Sequence, residues 1–292
     1  MSHLPTSLND LETLLRAAGD ALTLNRVLVG AGILFLYSNA KGLPGVWHYR
    51  LFKGLITELL FKRSRQPLPL TDAHGRPRVY SYLVTECSNP VIECDYNLHK
   101  SNSTFFADLD INRTQLMMAQ FKHVLAGSCM PRSTPGSTTP GRNKPLMMAM
   151  GGVACLFHRE IKPLQRYEIW SRVLAWDEKW VYVVSYFVKK GAVARDGTLP
   201  GELDKKVVLA TGLARYVFKE GRVTVKPEGV LQECRLLPSG GEQKEVVGWG
   251  REEFEAENRK GLAIAGGFSG LEGLPVMTRL GEVGVLGRYA DF

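Results

Sequence analysis

The sequence predicts an α+β fold: one long central helix wrapped by a meandering antiparallel β-sheet, with a helical extension before it and a tail after it. Three observations point there. Alternating stretches rich in β-branched and aromatic residues begin at Val79. A single long helical pattern follows the first of them. About four further strand patterns then run in succession before the tail. Such a sheet packs one face on the helix and leaves edges, and pairing an edge strand with a second copy is a natural way to cover one.

Composition bounds the class. The chain has 292 residues, 45% of them apolar, enough for one large core or two small ones. With 23% charged and 9% aromatic residues, wholesale disorder is excluded. No apolar run reaches the roughly 18 residues of a membrane span. Lys and Arg outnumber Asp and Glu by 37 to 29, a formal charge of +8. That excess favours anionic partners: phosphates, an acidic carrier protein, anionic lipid or nucleic acid. The five cysteines are odd in number and form no CxxC pair, so neither a disulfide framework nor a zinc module is indicated. Buried thiols in a reducing, cytoplasmic compartment fit them better.

In residues 8–20, Leu8, Leu11, Leu14, Leu15 and Ala18 recur at helical spacing. Residues 27–37 are strongly apolar but short, which suits a buried element or an interfacial segment. Residues 46–65 place Trp47, Phe52, Leu55, Leu59 and Leu60 on one helical face, with Lys53, Lys62, Arg63 and Arg65 adding charge. That combination either lies on an anionic membrane surface or docks on the main domain with its basic end in water. Residues 66–78 read as a linker and turn, so the extension is 1–70 and the main domain 71–235.

Within the main domain the first strand is expected over 79–95, interrupted at Asn89-Pro90. A helix follows from about 103 to 127, with Leu109, Leu116, Met117, Phe121, Val124 and Leu125 at helical spacing. Residues 130–145, rich in Pro, Ser, Thr and Gly, are expected to form a mobile insertion. Strands are expected at 146–161, 166–177 and 179–190, the last two joined tightly through Asp177-Glu178. One more long strand and a terminal β piece should occupy 207–225. The tail, 236–292, predicts an exposed helix over 252–259 stopped by Gly261, then glycine-rich chain packed on the domain.

The chemistry concentrates in residues 93–113, ECDYNLHKSNSTFFADLDINR. Asp95 is expected to end the first strand, His99 follows four residues later, and Ser101, Asn102 and Ser103 are good helix N-caps. The amides of that helix start form a ready carbonyl or oxyanion site, and a carboxylate beside it could activate water or attack a carbonyl. Asp108, Asp110 and Arg113 read as a surface or interface charge group on the helix. Trp170, Trp176, Trp180 and Tyr182 read as sheet packing, and His158 as half-exposed.

The spacing D-x-x-x-H-x-(N/S)-N-x-x-(Y/F)-(F/L)-x-x-x-(D/E)-x-x-R, here from Asp95 to Arg113, resembles the hot-dog-fold acyl thioesterase superfamily in its 4-hydroxybenzoyl-CoA thioesterase branch. The blocks FHREIKPLQRYEIWSRVLAWDEKWVYV (157–183), ATGLARYVFKEGRVTV (210–225) and LPGVWHYRLF (43–52) are similar to the thioesterase-superfamily-member-six-like group, and the resemblance spans 43–230. It implies the hot-dog fold, pairing of two copies through their sheets, and an acyl-thioester site at the subunit interface. The family's catalytic carboxylate falls on Asp95, as general base or nucleophile; His99 and Asn102 fall on positions that shape the turn and contact the thioester or the water. Ser101, Ser103, Phe105 and Phe106, at the helix start, are the substrate-binding candidates. Acyl-CoA or an acyl carrier protein is the implied partner, in a homodimer, without cofactor, metal or nucleic acid. The chain departs from the pattern at Leu98, where a small residue or Gly is common, and at Ser101, where Asn is.

Each assignment has a structural competitor: Asp95 as a turn cap, His99 as a hydrogen-bonding residue, Asn102 as an N-cap. Two other functions compete with hydrolysis: non-hydrolytic binding of lipid or acyl chains, and hydration or isomerisation, which needs an Asp/His pair in one tunnel. No G-x-S-x-G elbow, Walker loop, dinucleotide fingerprint or HExxH occurs, so serine hydrolases, nucleotide enzymes and zincins are disfavoured. The N-terminal segments suggest peripheral contact with an internal membrane such as the endoplasmic reticulum.

Overall fold

The computed structural model describes residues 8–58, 69–72, 74–126, 146–192, 203–238 and 249–273. The insertion expected at 130–145, the basic residues Lys62, Arg63 and Arg65, and Leu59 and Leu60 lie outside the described residues.

The first helix, α1 (Leu8–Ser38), is continuous where two separate segments were expected, because no proline and no pair of glycines interrupts 20–27. Its length is about 46 Å at the usual rise per residue. Leu24, Val27, Leu28, Ile33, Leu34 and Phe35 are all exposed, so this end of α1 stands clear of the main body. No helix among the described residues is long and apolar enough to cross a membrane. Helix α2 (Val46–Ile56) starts after Gly45, which adopts a left-handed φ of 82°. It docks on the long helix α3 (Asn102–Ala126) at Gly54, where an added Cβ would sit 2.9 Å from Gln115 Cγ. Phe52, on the face expected either to lie on a membrane surface or to dock on the main domain, is exposed, together with Tyr49 and Ile56.

Strand β1 (Leu83–Ser88) is shorter than the expected 79–95. Pro90 cannot donate to a ladder, and residues 91–93 form a 3₁₀ turn. Then come β2 (Leu146–Phe157), β3 (Arg166–Trp176), β4 (Val181–Lys189), β5 (Val208–Glu220) and the short β6 (Val223–Val225). All pairings are antiparallel, in the order β1-β3-β4-β5-β2, with β6 folding back on β5. Both margins of this sheet reach α3. Asn112 of α3 donates to Thr85 of β1 at 3.0 Å, while Leu146 at the start of β2 shares a core with Leu116, Phe121 and Val124. A sheet whose two edges touch one helix is curled around it, which is the α+β, hot-dog arrangement the sequence predicted.

The core follows from two-residue alternation. Tyr167, Ile169 and Val173 of β3 and Val181, Val183 and Phe187 of β4 point at α3 and are fully buried. Their outward neighbours Leu174, Ala175, Tyr182 and Val184 are covered by helix α5 (Arg251–Ala265). Here the sequence expectation of an exposed helix ending at Gly261 is corrected. A Cβ at 261 would lie 2.5 Å from the Leu174 carbonyl oxygen, so the glycine seats α5 on the bulge of β3 rather than stopping it. Asn258 fastens the contact by exchanging hydrogen bonds with the Trp176 backbone at 2.8 and 3.0 Å. A further short helix that the sequence did not suggest, α4 (Pro227–Glu233), closes one end of the core with Val230 and Leu231.

Candidate active site

The segment before α3 is a tight hairpin. Cys94 and Lys100 pair across it, the Asp95 amide donates to the His99 carbonyl at 2.9 Å, and the Leu98 amide to the Asp95 carbonyl at 3.0 Å. Leu98 closes the turn with φ at 59°, a left-handed conformation natural to glycine. This explains physically why a small residue suits that position; here the exposed Leu98 accepts the strain. Asp95 therefore lies in this turn and not at the end of β1, which stops at Ser88.

The carboxylate of Asp95 is a quarter exposed. Its Oδ1 accepts the Asn97 amide at 2.9 Å, and no group among the described residues bonds to its Oδ2. His99 Nδ1 lies 3.6 Å from Oδ1, too long for a hydrogen bond but close enough to respond to that charge. The turn is tied to the helix start, because the Ser101 amide donates to the Glu93 carbonyl at 2.9 Å. Ser101 then caps α3 through its own carbonyl, which accepts the Thr104 amide at 3.0 Å and the Thr104 hydroxyl at 2.7 Å. The amides of Asn102 and Ser103 have no acceptor among the described residues, both side chains are exposed, and no acidic residue occupies the first turn of α3. Those amides can hold developing negative charge on an oxygen.

Phe105 faces the core, 4.8 Å ring to ring from Phe187 and 5.0 Å from Phe157. Phe106 is half-buried beside the same cluster. Phe157 ends β2, so the helix start borders the edge strand of the sheet. None of four cavities bordered by described residues takes in Asp95, His99 or Asn102. One of about 150 Å³ lies farther along α3 on its β2 side, lined by Thr114, Met117, Met118, Leu125, Met148 and Tyr216.

Beneath the turn is a buried charge cluster that sequence reasoning missed. Asp108, expected on the surface, is 1% exposed. Its Oδ2 accepts Lys41 Nζ at 2.8 Å and the Tyr167 hydroxyl at 2.5 Å, and lies 3.0 Å from Lys100 Nζ; its Oδ1 faces Arg50 at 3.3 Å. Glu93 accepts Lys41 at 2.9 Å and Lys100 at 2.6 Å. Burial alone would raise the Asp108 pKa, but the ammoniums of Lys41 and Lys100 prevail and hold it at about 2. Burial, reinforced by the Asp108 charge, pushes the Tyr167 phenol up and the Cys87 thiol up to about 11. Arg113 is buried too, paired with Asp110 at 2.8 Å, so the expected surface charge group is largely internal. One local signal existed: Asp108 stands three residues after Phe105 and one before Leu109, inside the apolar stripe of α3. Lys41 had none, being 67 residues from its carboxylate partner.

Comparison with known proteins adds the following. Residues 90–230 match the family model of the thioesterase-like superfamily. The chain is 67% identical to the probable thioesterase atnL of Emericella nidulans, with 99% of each chain covered. It is 37% identical to the thioesterase poxG of Penicillium oxalicum, covering 88% of this chain and 90% of that one. Among solved structures, the probable thioesterase YbaW of Escherichia coli aligns with 52% of this chain and 94% of its own, at 12% identity and a TM-score of 0.36.

Proposed function

This chain belongs to the thioesterase-like superfamily and is a thioester hydrolase, and on that premise we propose that the reaction runs between Asp95 and the start of α3. The observation that carries this reading is a part-exposed carboxylate with one oxygen fixed and the other without a partner among the described residues, in a turn fastened to helix amides that likewise lack an acceptor there. Asp95 takes a proton from water as the water oxygen bonds to the thioester carbon. The amides of Asn102 and Ser103 stabilise the oxyanion. Collapse breaks the carbon–sulfur bond, and the leaving thiolate takes the proton back from Asp95. His99 stands where it can orient the water or Asp95. The substrates are acyl-CoA or carrier-bound acyl and polyketide chains, in keeping with the charge of +8. The test is thiol release over a range of acyl-CoA chain lengths. Asp95→Ala should lower kcat at least about 100-fold; wild-type turnover in that variant would sink the assignment.

Two further readings belong to the same proposal. Among the described residues strand β2 pairs only with β5, and Met147, Met150 and Leu156, next to Phe157, are exposed on it. A second copy joined there would bury that strand, wall in the helix start and extend the site toward the methionine-lined cavity as a channel for an acyl chain. Light scattering should give a dimer, and Leu156→Arg should yield a monomer with less activity; a fully active monomer would count against it. The exposed apolar half of α1 is suited to an internal membrane surface such as the endoplasmic reticulum, which flotation with vesicles, with and without residues 1–37, would test.

A further inference from the structure

The segment between α1 and α2 passes under the reactive turn, and we infer that Lys41 is a positioning residue for Asp95, acting through Glu93 and Lys100. Glu93 enters the hairpin and Lys100 leaves it, and Glu93 Oε2 accepts hydrogen bonds from both Lys100 and Lys41, at 2.6 and 2.9 Å. Lys41 Nζ also donates to the Ser88 carbonyl at 3.0 Å and to Asp108 at 2.8 Å. One ammonium thus ties the end of β1, the Glu93 stem of the hairpin and the first turns of α3, and Lys100 on the other stem shares the same Glu93 oxygen. The neighbours of Lys41 hold it there. Asn39 is fully buried, and its Oδ1 accepts the Ile92 amide at 2.8 Å. Gly42 lies so close to Ile92 that an added Cβ would overlap its Cγ2. Residues 39–42 therefore hook the segment that leads into Asp95, although the sequence assigns them to an extension outside the main domain.

The charge count separates positioning from mere neutralisation. Lys41, Lys100 and Arg50 face Glu93 and Asp108, so the cluster holds one cation more than neutrality needs. Removing Lys41 leaves two cations for two carboxylates. The fold therefore keeps a balanced cluster, while the Glu93 stem loses the ammonium that joins it to the Ser88 carbonyl and to Asp108.

The inference rests on Asp95 being the reacting carboxylate, and the test separates the two. In the full-length chain, Lys41→Met should lower kcat about tenfold with KM within about twofold, because a displaced base slows chemistry more than binding. Lys41→Arg should recover most of the loss. On an Asp95→Asn background, Lys41→Met should cause no further loss. A Lys41→Met enzyme with wild-type kcat, or an equal loss in the Asp95→Asn background, would overturn the role of Lys41 while leaving Asp95 in place. Wild-type turnover by Asp95→Asn alone would remove the residue to be positioned, and both ideas with it. Should Lys41→Met not fold, Asn39→Ala keeps every charge while releasing the Ile92 amide, together with the Asn39 Nδ2 bonds to the Phe35 carbonyl and the Ser38 hydroxyl inside the end of α1. A severalfold fall in kcat at constant KM is expected there, and an unchanged kcat refutes the hook.

Discussion

Asp95 and Asp108 flank the same helix start and are held in opposite ways. Asp95, a quarter exposed, has one oxygen fixed by a backbone amide, and no group among the described residues bonds to the other. Asp108 is buried, with two ammoniums and a phenol on one oxygen and a guanidinium on the other. A carboxylate has about four lone-pair sites. Those of Asp108 are filled and its pKa is held at about 2, so near neutral pH it is no base toward water and serves as an anchor. Those of Asp95 are mostly free, so it can act as a base and adds little to stability. Position in sequence does not separate these roles; saturation by neighbours does.

Exchanging the two residues' properties breaks the comparison most sharply at Asp95. Asp95→Asn should lose 100-fold or more in kcat. Its melting temperature should stay within a few degrees of wild type, since the carboxylate is part-exposed and holds a single backbone amide. Asp108→Asn should show the reverse: about 3 kcal/mol less stable in urea unfolding, because its buried ammoniums lose their counter-charge. If Asp95→Asn proves the less stable variant, the assignment of roles is wrong.

Acid sharpens the same contrast. The ammoniums of Lys41 and Lys100 hold the Asp108 carboxyl at about 2 in the folded chain, below the ordinary Asp value of 3.8. A depressed folded pKa stabilises above the unfolded pKa. That stabilisation, on the order of 2 kcal/mol, is complete above about pH 4 and fades as pH falls toward 2. Urea midpoints over that window should drop in the wild type and drop less in Asp108→Asn; parallel curves would contradict the paired, buried carboxylate. The smallest expected effect is at Leu98, whose left-handed φ of 59° strains an exposed side chain. Leu98→Gly should gain roughly 0.5 kcal/mol with activity kept, measured by thermal melting.

The order of strands and helix was legible because each element writes its own period. Alternation marks β3, β4 and β5, and recurrence of Leu109, Leu116 and Phe121 marks α3. Asp95, His99 and Asn102 could be picked out as candidates because they fall within a few residues of one another, and their roles stand as the proposal above. Errors arose where distant packing decides. Gly261 carries a helix-stop signal, yet the close carbonyl of Leu174 makes it a contact residue. Asp108 reads as one more helix-surface charge until Lys41, Lys100 and Tyr167 are brought round it.

By itself, then, the sequence determined which segments are strands, where the long helix begins and which short turn gathers the candidate groups, since these depend on side-chain periodicity and on neighbours along the chain. Tertiary structure alone decided which carboxylate is saturated and which is free, and that the link after α1 belongs under the reactive turn. A lone pair is filled by whatever the fold brings within about 3 Å, and separation along the chain sets no limit on that.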